Sequence, residues 1–326
     1  MINLRTLFGA YTFLVLAVLG IGKTVTATAF NPDPLFKDVA SYKTKISGSD
    51  RLADIYFPNP KDIKTGTYSF PIVVLLQGAL VDKSNYSNYA SIVARYGFVV
   101  VVPNSKRLLP SRSQALAPLT SDITDVLKHM VAENSNSASP VFAIVNTQKL
   151  ALLGHSFGGA VGLSAIANLC LESLSFCKGS FNRPKELVAG AFFGANLRDT
   201  KDEFIPINNS GIPIALLQGS LDNRALPLRA ERTYDNIQTP PKALITILGV
   251  NHFGITNTNN PVGAIPDPNN STLAQNIAVE TIGRWSGLFL RASVLKDKGA
   301  FDYVYYTGDA RDPNVAVIST TPKKEK

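Results

Sequence analysis

The sequence predicts an α/β architecture: a mostly parallel central sheet flanked by helices, in a single three-layer domain. Three observations predict it. Largely apolar runs recur at Pro71–Gly78, Phe98–Val102, Leu150–Leu153, Leu187–Phe193, Ile214–Leu217 and Ala243–Leu248, too continuous for strands with one wet face. Helical patterns fall between several of them. No internal repeat or strong linker divides the series.

The first element stands apart. Met1–Arg5 carries one positive side chain, Leu7–Ile21 is a 15-residue run dominated by apolar side chains, and Lys23–Ala29 supplies small residues in an A-x-A arrangement. This layout predicts a secretory signal peptide over residues 1–29, cleaved near Ala29, and so a secreted or periplasmic protein. The alternative is a membrane anchor. Fifteen residues rising about 1.5 Å each fall short of a roughly 30 Å hydrocarbon core, so no stable membrane span is expected after processing. Cleavage would leave 30 basic and 24 acidic residues, a net charge of +6.

The polar segment up to about Pro71 holds one alternating piece, Leu52–Phe57, bounded by Pro58 and Pro60, which predicts an antiparallel edge strand. Leu119, Ile123, Val126, Leu127 and Met130 form a helical stripe, with Thr120 or Ser121 and then Asp122 at its start. A second helix is expected over Ser156–Cys170. Thr272 with Gln275 makes a capping box ahead of Leu273, Ile277, Ile282, Trp285 and Phe289, a stripe read as core packing. Asn257–Thr272, rich in Asn and Pro, reads as a surface loop. The main α/β domain is expected over 30–300, with 301–326 as a C-terminal extension ending in the basic flexible tail Lys323, Lys324 and Lys326.

Composition narrows the function classes. The whole chain carries 32 basic and 24 acidic residues, but the charge is not clustered and no zinc-finger spacing or aromatic-basic motif appears, so no nucleic-acid partner is expected. Cys170 and Cys177 are the two cysteines. In an oxidising compartment they predict a local disulfide, with two buried thiols as the alternative. No metal site and no cofactor are expected.

The sharpest chemistry lies in Leu152-Leu153-Gly154-His155-Ser156-Phe157-Gly158-Gly159-Ala160, a G-x-S-x-G directly after an apolar strand and before a small-residue helix. The strand must turn into the helix within one or two residues, so bulk at Gly154 or Gly158 would strike neighbouring backbone. Such a turn holds a serine Oγ above the sheet edge, with the next backbone N–H, that of Phe157, facing a developing oxyanion. An activated serine needs an imidazole, and the chain has three. His129 lies within the Leu119–Met130 helix and reads as a surface or half-buried residue. His155 leaves the turn in another direction from Ser156 and is expected to orient or pack it. His252 opens a Gly/Asn-rich loop after the last apolar run and is the candidate base.

Gly154–Gly159 resembles the nucleophile elbow of the α/β-hydrolase superfamily. The stretch Val73–Pro103 resembles the corresponding region of chlorophyllases, polyester hydrolases of the cutinase-like kind and platelet-activating-factor acetylhydrolases. The resemblance implies the α/β-hydrolase fold and the order Ser, acid, His. Asp222, just beyond the Ile214–Leu217 run in Gly219-Ser220-Leu221-Asp222, matches the superfamily's G-x-x-D segment; Asp199, Asp202 and Asp235 are rivals without such a strand lead. The family's first oxyanion turn, often His-Gly-x, corresponds to Gln77-Gly78-Ala79, which makes the Ala79 N–H the donor beside that of Phe157. Gln77 departs from the usual histidine.

Leu80, Tyr86 or Tyr89, Leu221 and Phe253 are the candidate pocket residues, favouring a small-molecule or polymeric ester with an apolar group. The expected function is a secreted serine hydrolase that cleaves carboxylic esters through an acyl-enzyme. The alternatives are an acyltransferase using the same residues and a non-catalytic secreted binding protein on the same fold.

Overall fold

The computed structural model describes residues 30–59, 68–108 and 114–323. The expected signal peptide, Lys324 and Lys326 lie outside these residues. The described residues from Asn31 onward form one compact unit.

Nine strands of this unit make one sheet. Their order is β1 (Val39–Lys45), β2 (Leu52–Pro58), β4 (Val99–Pro103), β3 (Phe70–Leu76), β7 (Val145–His155), β8 (Leu187–Phe193), β9 (Ile214–Gly219), β10 (Lys242–Ile247) and β11 (Val315–Thr320). Neighbours from β4 through β10 run parallel, while β1, β2 and β11 join antiparallel. The pair β5 (Lys106–Leu108) and β6 (Gln114–Leu116) stands apart as a small ladder. Strands β3, β4 and β9 are buried along their whole length, as continuous apolar sequence demands when helices cover both faces.

Those helices supply the outer layers. Helices α2 (Ser121–Ser135), α3 (Phe157–Ile166) and α4 (Pro227–Asn236) share one apolar cluster with Ile72, Val74, Leu152 and Leu216 of the sheet. Helices α1 (Ser87–Ala94) and α5 (Gln275–Val294) pack on each other across the other face. This three-layer arrangement is the α/β architecture the sequence predicts.

Topology then fixes where a site can form. The chain runs from β3 to β4 on one side and later places β7 on the other, so the strand order reverses between β3 and β7. Loops diverge at the carboxyl ends of strands at such a point and leave a crevice. The register aligns Leu76 with Gly154, His155 with Phe193, Phe193 with Leu217, and Gly219 with Ile247. The loops after β3, β7, β9 and β10 therefore leave along one edge.

Some expectations need correction. Leu52–Phe57 is not the edge strand: β1 covers it, and β1 escapes the apolar-run signal because an edge strand keeps alternate side chains in solvent. The Ser156–Cys170 helix stops at Ile166, and Asn168 turns left-handed at φ 56°. The capping box does not form. Ala274 occupies the cap of α5 without a side-chain bond, and the Gln275 amide instead donates to the carbonyls of Phe253 and Thr256. His129 is buried, with Nδ1 2.9 Å from Ser47 Oγ. Residues 301–320, read as an extension, carry β11, which completes the sheet beside β10.

Candidate active site

Ser156 sits between β7 and α3 with φ 52° and ψ −119°, a strained conformation for a residue with a side chain. Its own N–H is held by Phe193 O at 2.9 Å and its carbonyl accepts from Ala160 N at 3.1 Å. The two flanking glycines are steric necessities. A Cβ on Gly158 would come within 2.2 Å of Leu76 O, and one on Gly154 within 2.7 Å of the Gly159 Cα.

His252 and Asp222 arrive from the loops after β10 and β9. Asp222 is 1% exposed. Its Oδ1 accepts from the N–H groups of Arg224 (2.9 Å) and Ala225 (2.7 Å), and its Oδ2 lies 2.7 Å from His252 Nδ1. A carboxylate only accepts, so the imidazole donates from Nδ1 and, while neutral, keeps a lone pair on Nε2. Ser156 and His252 border the same small cavity of about 80 Å³, together with Ala79, Leu80 and Phe253.

One residue here escaped sequence reading. Gly194, at the end of β8, has φ +58°, and a Cβ on it would lie 3.0 Å from Asp222 Oδ2 and 3.1 Å from the His252 ring. It leaves room for the Asp222–His252 pair.

His155 has a different task. Its Nδ1 is 2.9 Å from Tyr86 Oη and its Nε2 is 3.0 Å from the His252 carbonyl oxygen. That carbonyl can only accept, so Nε2 carries the proton and Nδ1 receives one from the Tyr86 hydroxyl. The same hydroxyl oxygen accepts from Gly78 N at 2.8 Å. Burial, and then the nearby His252, hold the His155 pKa well below the ordinary imidazole value, while burial pushes the Tyr86 phenol up. Both stay neutral. The bridge ties the turn after β3, the serine turn and the His252 loop together.

Further buried polar groups brace the loops that carry Asp222 and His252. Asp267 Oδ2 accepts from Asn223 N (3.1 Å) and His252 N (2.9 Å), and its Oδ1 from Asn269 N (2.9 Å). Asn251 is fully buried and donates to Asn259 Oδ1 and Asn269 O. The segment Asn257–Thr272, read as a surface loop, is thus tied by Asn and Asp side chains to the loops that carry Asp222 and His252.

The pocket residues divide. Leu80 and Phe253 border the small cavity. Tyr86 and Tyr89 do not: both are buried, Tyr86 in the bridge and Tyr89 donating to Ser286 Oγ at 2.9 Å between α1 and α5. Leu221 borders neither cavity next to Ser156; its amide donates to Val250 O and its carbonyl accepts from the Asn269 side chain. The second cavity, about 360 Å³, has an apolar side of Phe157, Ala160, Leu174 and Phe176. Leu174 and Phe176 lie within the loop closed by the Cys170–Cys177 disulfide, which forms as expected.

Of the rival acids, Asp199 and Asp202 border this larger cavity, and Asp235 is exposed on α4.

The chlorophyllase family model matches residues 44–178, from the end of β1 through the serine turn and α3 to the disulfide loop. The chain has the α/β-hydrolase fold. No curated protein matches it. The matched span holds Ala79, Ser156 and Phe157, while Asp222 and His252 lie beyond it and rest on the geometry above. Among the described residues no helix is long and apolar enough to cross a membrane.

Proposed function

We propose that the protein is a serine hydrolase acting on carboxylic esters through an acyl-enzyme. The observation that carries this reading is the buried Asp222–His252 hydrogen bond on the same small cavity as Ser156. His252 Nε2 takes the Ser156 proton as Oγ attacks the ester carbonyl. Asp222 keeps the ring in the required tautomer and stabilises the imidazolium. The N–H groups of Ala79 and Phe157 receive the developing oxyanion. His252 then protonates the leaving alcohol, and water repeats the sequence on the acyl-enzyme.

The apolar side of the larger cavity, Phe157, Ala160, Leu174 and Phe176, suits an ester with an apolar group. The disulfide supports export, because such bonds persist in oxidising compartments. N-terminal sequencing of the mature protein is expected to begin at Phe30, and a start at Met1 would refute cleavage.

A fluorophosphonate probe tests the chemistry. It is expected to label wild-type protein at Ser156 and to leave Ser156→Ala unlabelled, with p-nitrophenyl ester hydrolysis lost in parallel. Full hydrolysis by Ser156→Ala would refute the reading. Product analysis with a competing alcohol reports whether water or the alcohol is the acceptor.

A further inference from the structure

The ester chemistry above makes no use of three arginines around the larger cavity, Arg198, Arg224 and Arg229. They come from two places: Arg198 from the segment after β8, and Arg224 and Arg229 from the segment that leads from Asp222 into α4. Arg198 is paired with Asp202 and donates to Asn196 Oδ1 at 2.8 Å. Among the described residues, the guanidinium groups of Arg224 and Arg229 have no carboxylate partner. The remaining acid on this cavity, Asp199, is turned back on its own loop, with Oδ1 accepting from the N–H groups of Lys201 (2.8 Å) and Glu203 (2.9 Å).

Position makes these charges relevant to Ser156. Arg224 borders both cavities, and its backbone N–H is one of the two that hold Asp222. Its main chain is held by the Asp222 carboxylate, and the residue lines the space beside the serine as well as the larger cavity. Arg229 lies across from Arg198, close enough that its charge adds to burial in lowering the Arg198 pKa. Like charges brought together without enough carboxylates to balance them are relieved when an anion binds between them, and a guanidinium offers a planar pair of donors matched to a carboxylate.

We propose that the substrate is an amphiphilic ester carrying an anionic group of the carboxylate class, bound by Arg224 and Arg229 while its apolar part lies against Phe157, Leu174 and Phe176. This rests on the ester-hydrolase reading of Ser156. Orientation follows from Arg224, which places the anion within the reach of one short substrate from the reacting carbonyl.

The test uses matched ester pairs with the wild-type protein and the Arg224→Gln/Arg229→Gln double variant. In one pair the acyl part carries the charge (p-nitrophenyl hemiglutarate against p-nitrophenyl hexanoate). In the other the alcohol part does (4-acetoxybenzoate against phenyl acetate). The expected result is a preference of about tenfold in kcat/KM for the anionic member of at least one pair. That preference falls towards one in the double variant, and falls for the wild type as salt is raised, because exposed charges are screened. A neutral preference in both pairs, or a ratio that the double variant leaves unchanged, overturns the proposal.

If the wild type turns over none of these esters, the ester-hydrolase reading fails first, and calorimetry of monomethyl glutarate with Ser156→Ala decides the anion site separately. Binding that requires Arg224 and Arg229 sustains it, and no binding overturns it.

Discussion

Two imidazoles stand side by side above the sheet edge, His155 and His252, with ring centroids 4.7 Å apart. Both are buried, and both border the cavity beside Ser156. They differ in what each nitrogen meets. His252 has a carboxylate behind Nδ1, so a positive charge on its ring is matched. His155 has a hydroxyl on one side and a backbone carbonyl on the other. Both of its nitrogens are occupied, and its pKa is held well below the ordinary value by burial and by His252. A ring of that kind can brace but cannot shuttle a proton. Partner chemistry, rather than proximity to the serine, separates the proposed base from the brace.

The largest effect should come from removing the proposed base itself. His252→Ala is expected to lower kcat for p-nitrophenyl esters by roughly 10⁴- to 10⁶-fold with a smaller change in KM. Asp222→Asn should follow at about 10⁴-fold, because the amide can hold the ring in the wrong tautomer. Steady-state kinetics at saturating ester check both. A His252→Ala protein within tenfold of wild type would erase the distinction between the two rings.

Tyr86→Phe probes the brace. It leaves the Gly78 N–H and His155 Nδ1 without their partner in a buried site, at a cost of about 1–3 kcal/mol in stability. The turn carrying Ala79 hangs from the same hydroxyl, so kcat is expected to fall about tenfold with KM nearly unchanged. A purely structural bond would lower Tm and leave kcat alone.

The pH response sharpens the contrast further. A histidine whose folded pKa lies below its unfolded value contributes stability that is fully present above about pH 6.5 and is lost as pH falls towards the folded pKa, with a limiting slope of about 1.4 kcal/mol per unit. Thermal unfolding of the wild type should weaken more steeply below pH 6.5 than that of His155→Gln. Equal slopes would show that His155 titrates normally.

These distinctions bear on what a sequence can disclose. The six parallel strands were legible because burial on both faces leaves an unbroken apolar run, and Ser156 because its turn tolerates only glycine at Gly154 and Gly158. His252 emerged by elimination among three histidines, and Asp222 by its place after β9. The Tyr86–His155 bridge was not legible, since it joins residues 69 apart through a hydroxyl, and an aromatic in an apolar helix reads equally well as pocket or core. Gln275 misled because its spacing from Thr272 fits a cap, whereas its amide serves the His252 loop. Gly194 gave only a strand-end glycine as its signal. Its role depends on a pair assembled from two other loops.

The smallest expected effect is at Asp267, which does for the His252 backbone what the Tyr86 bridge does from the other side. His155 holds the His252 carbonyl, and Asp267 holds its N–H together with that of Asn223, next to Asp222. Asp267→Asn keeps one accepting oxygen but cannot supply both, because three N–H groups now meet the carboxylate and an amide NH₂ cannot accept. The loop pair should lose about 1–2 kcal/mol of stability. The cost to kcat should be a fewfold at most, since the Asp222–His252 bond itself is untouched. Amide hydrogen exchange at Asn223 and His252 checks the local loosening directly. If exchange there is unchanged while kcat falls a hundredfold, Asp267 acts on the chemistry rather than on the loops.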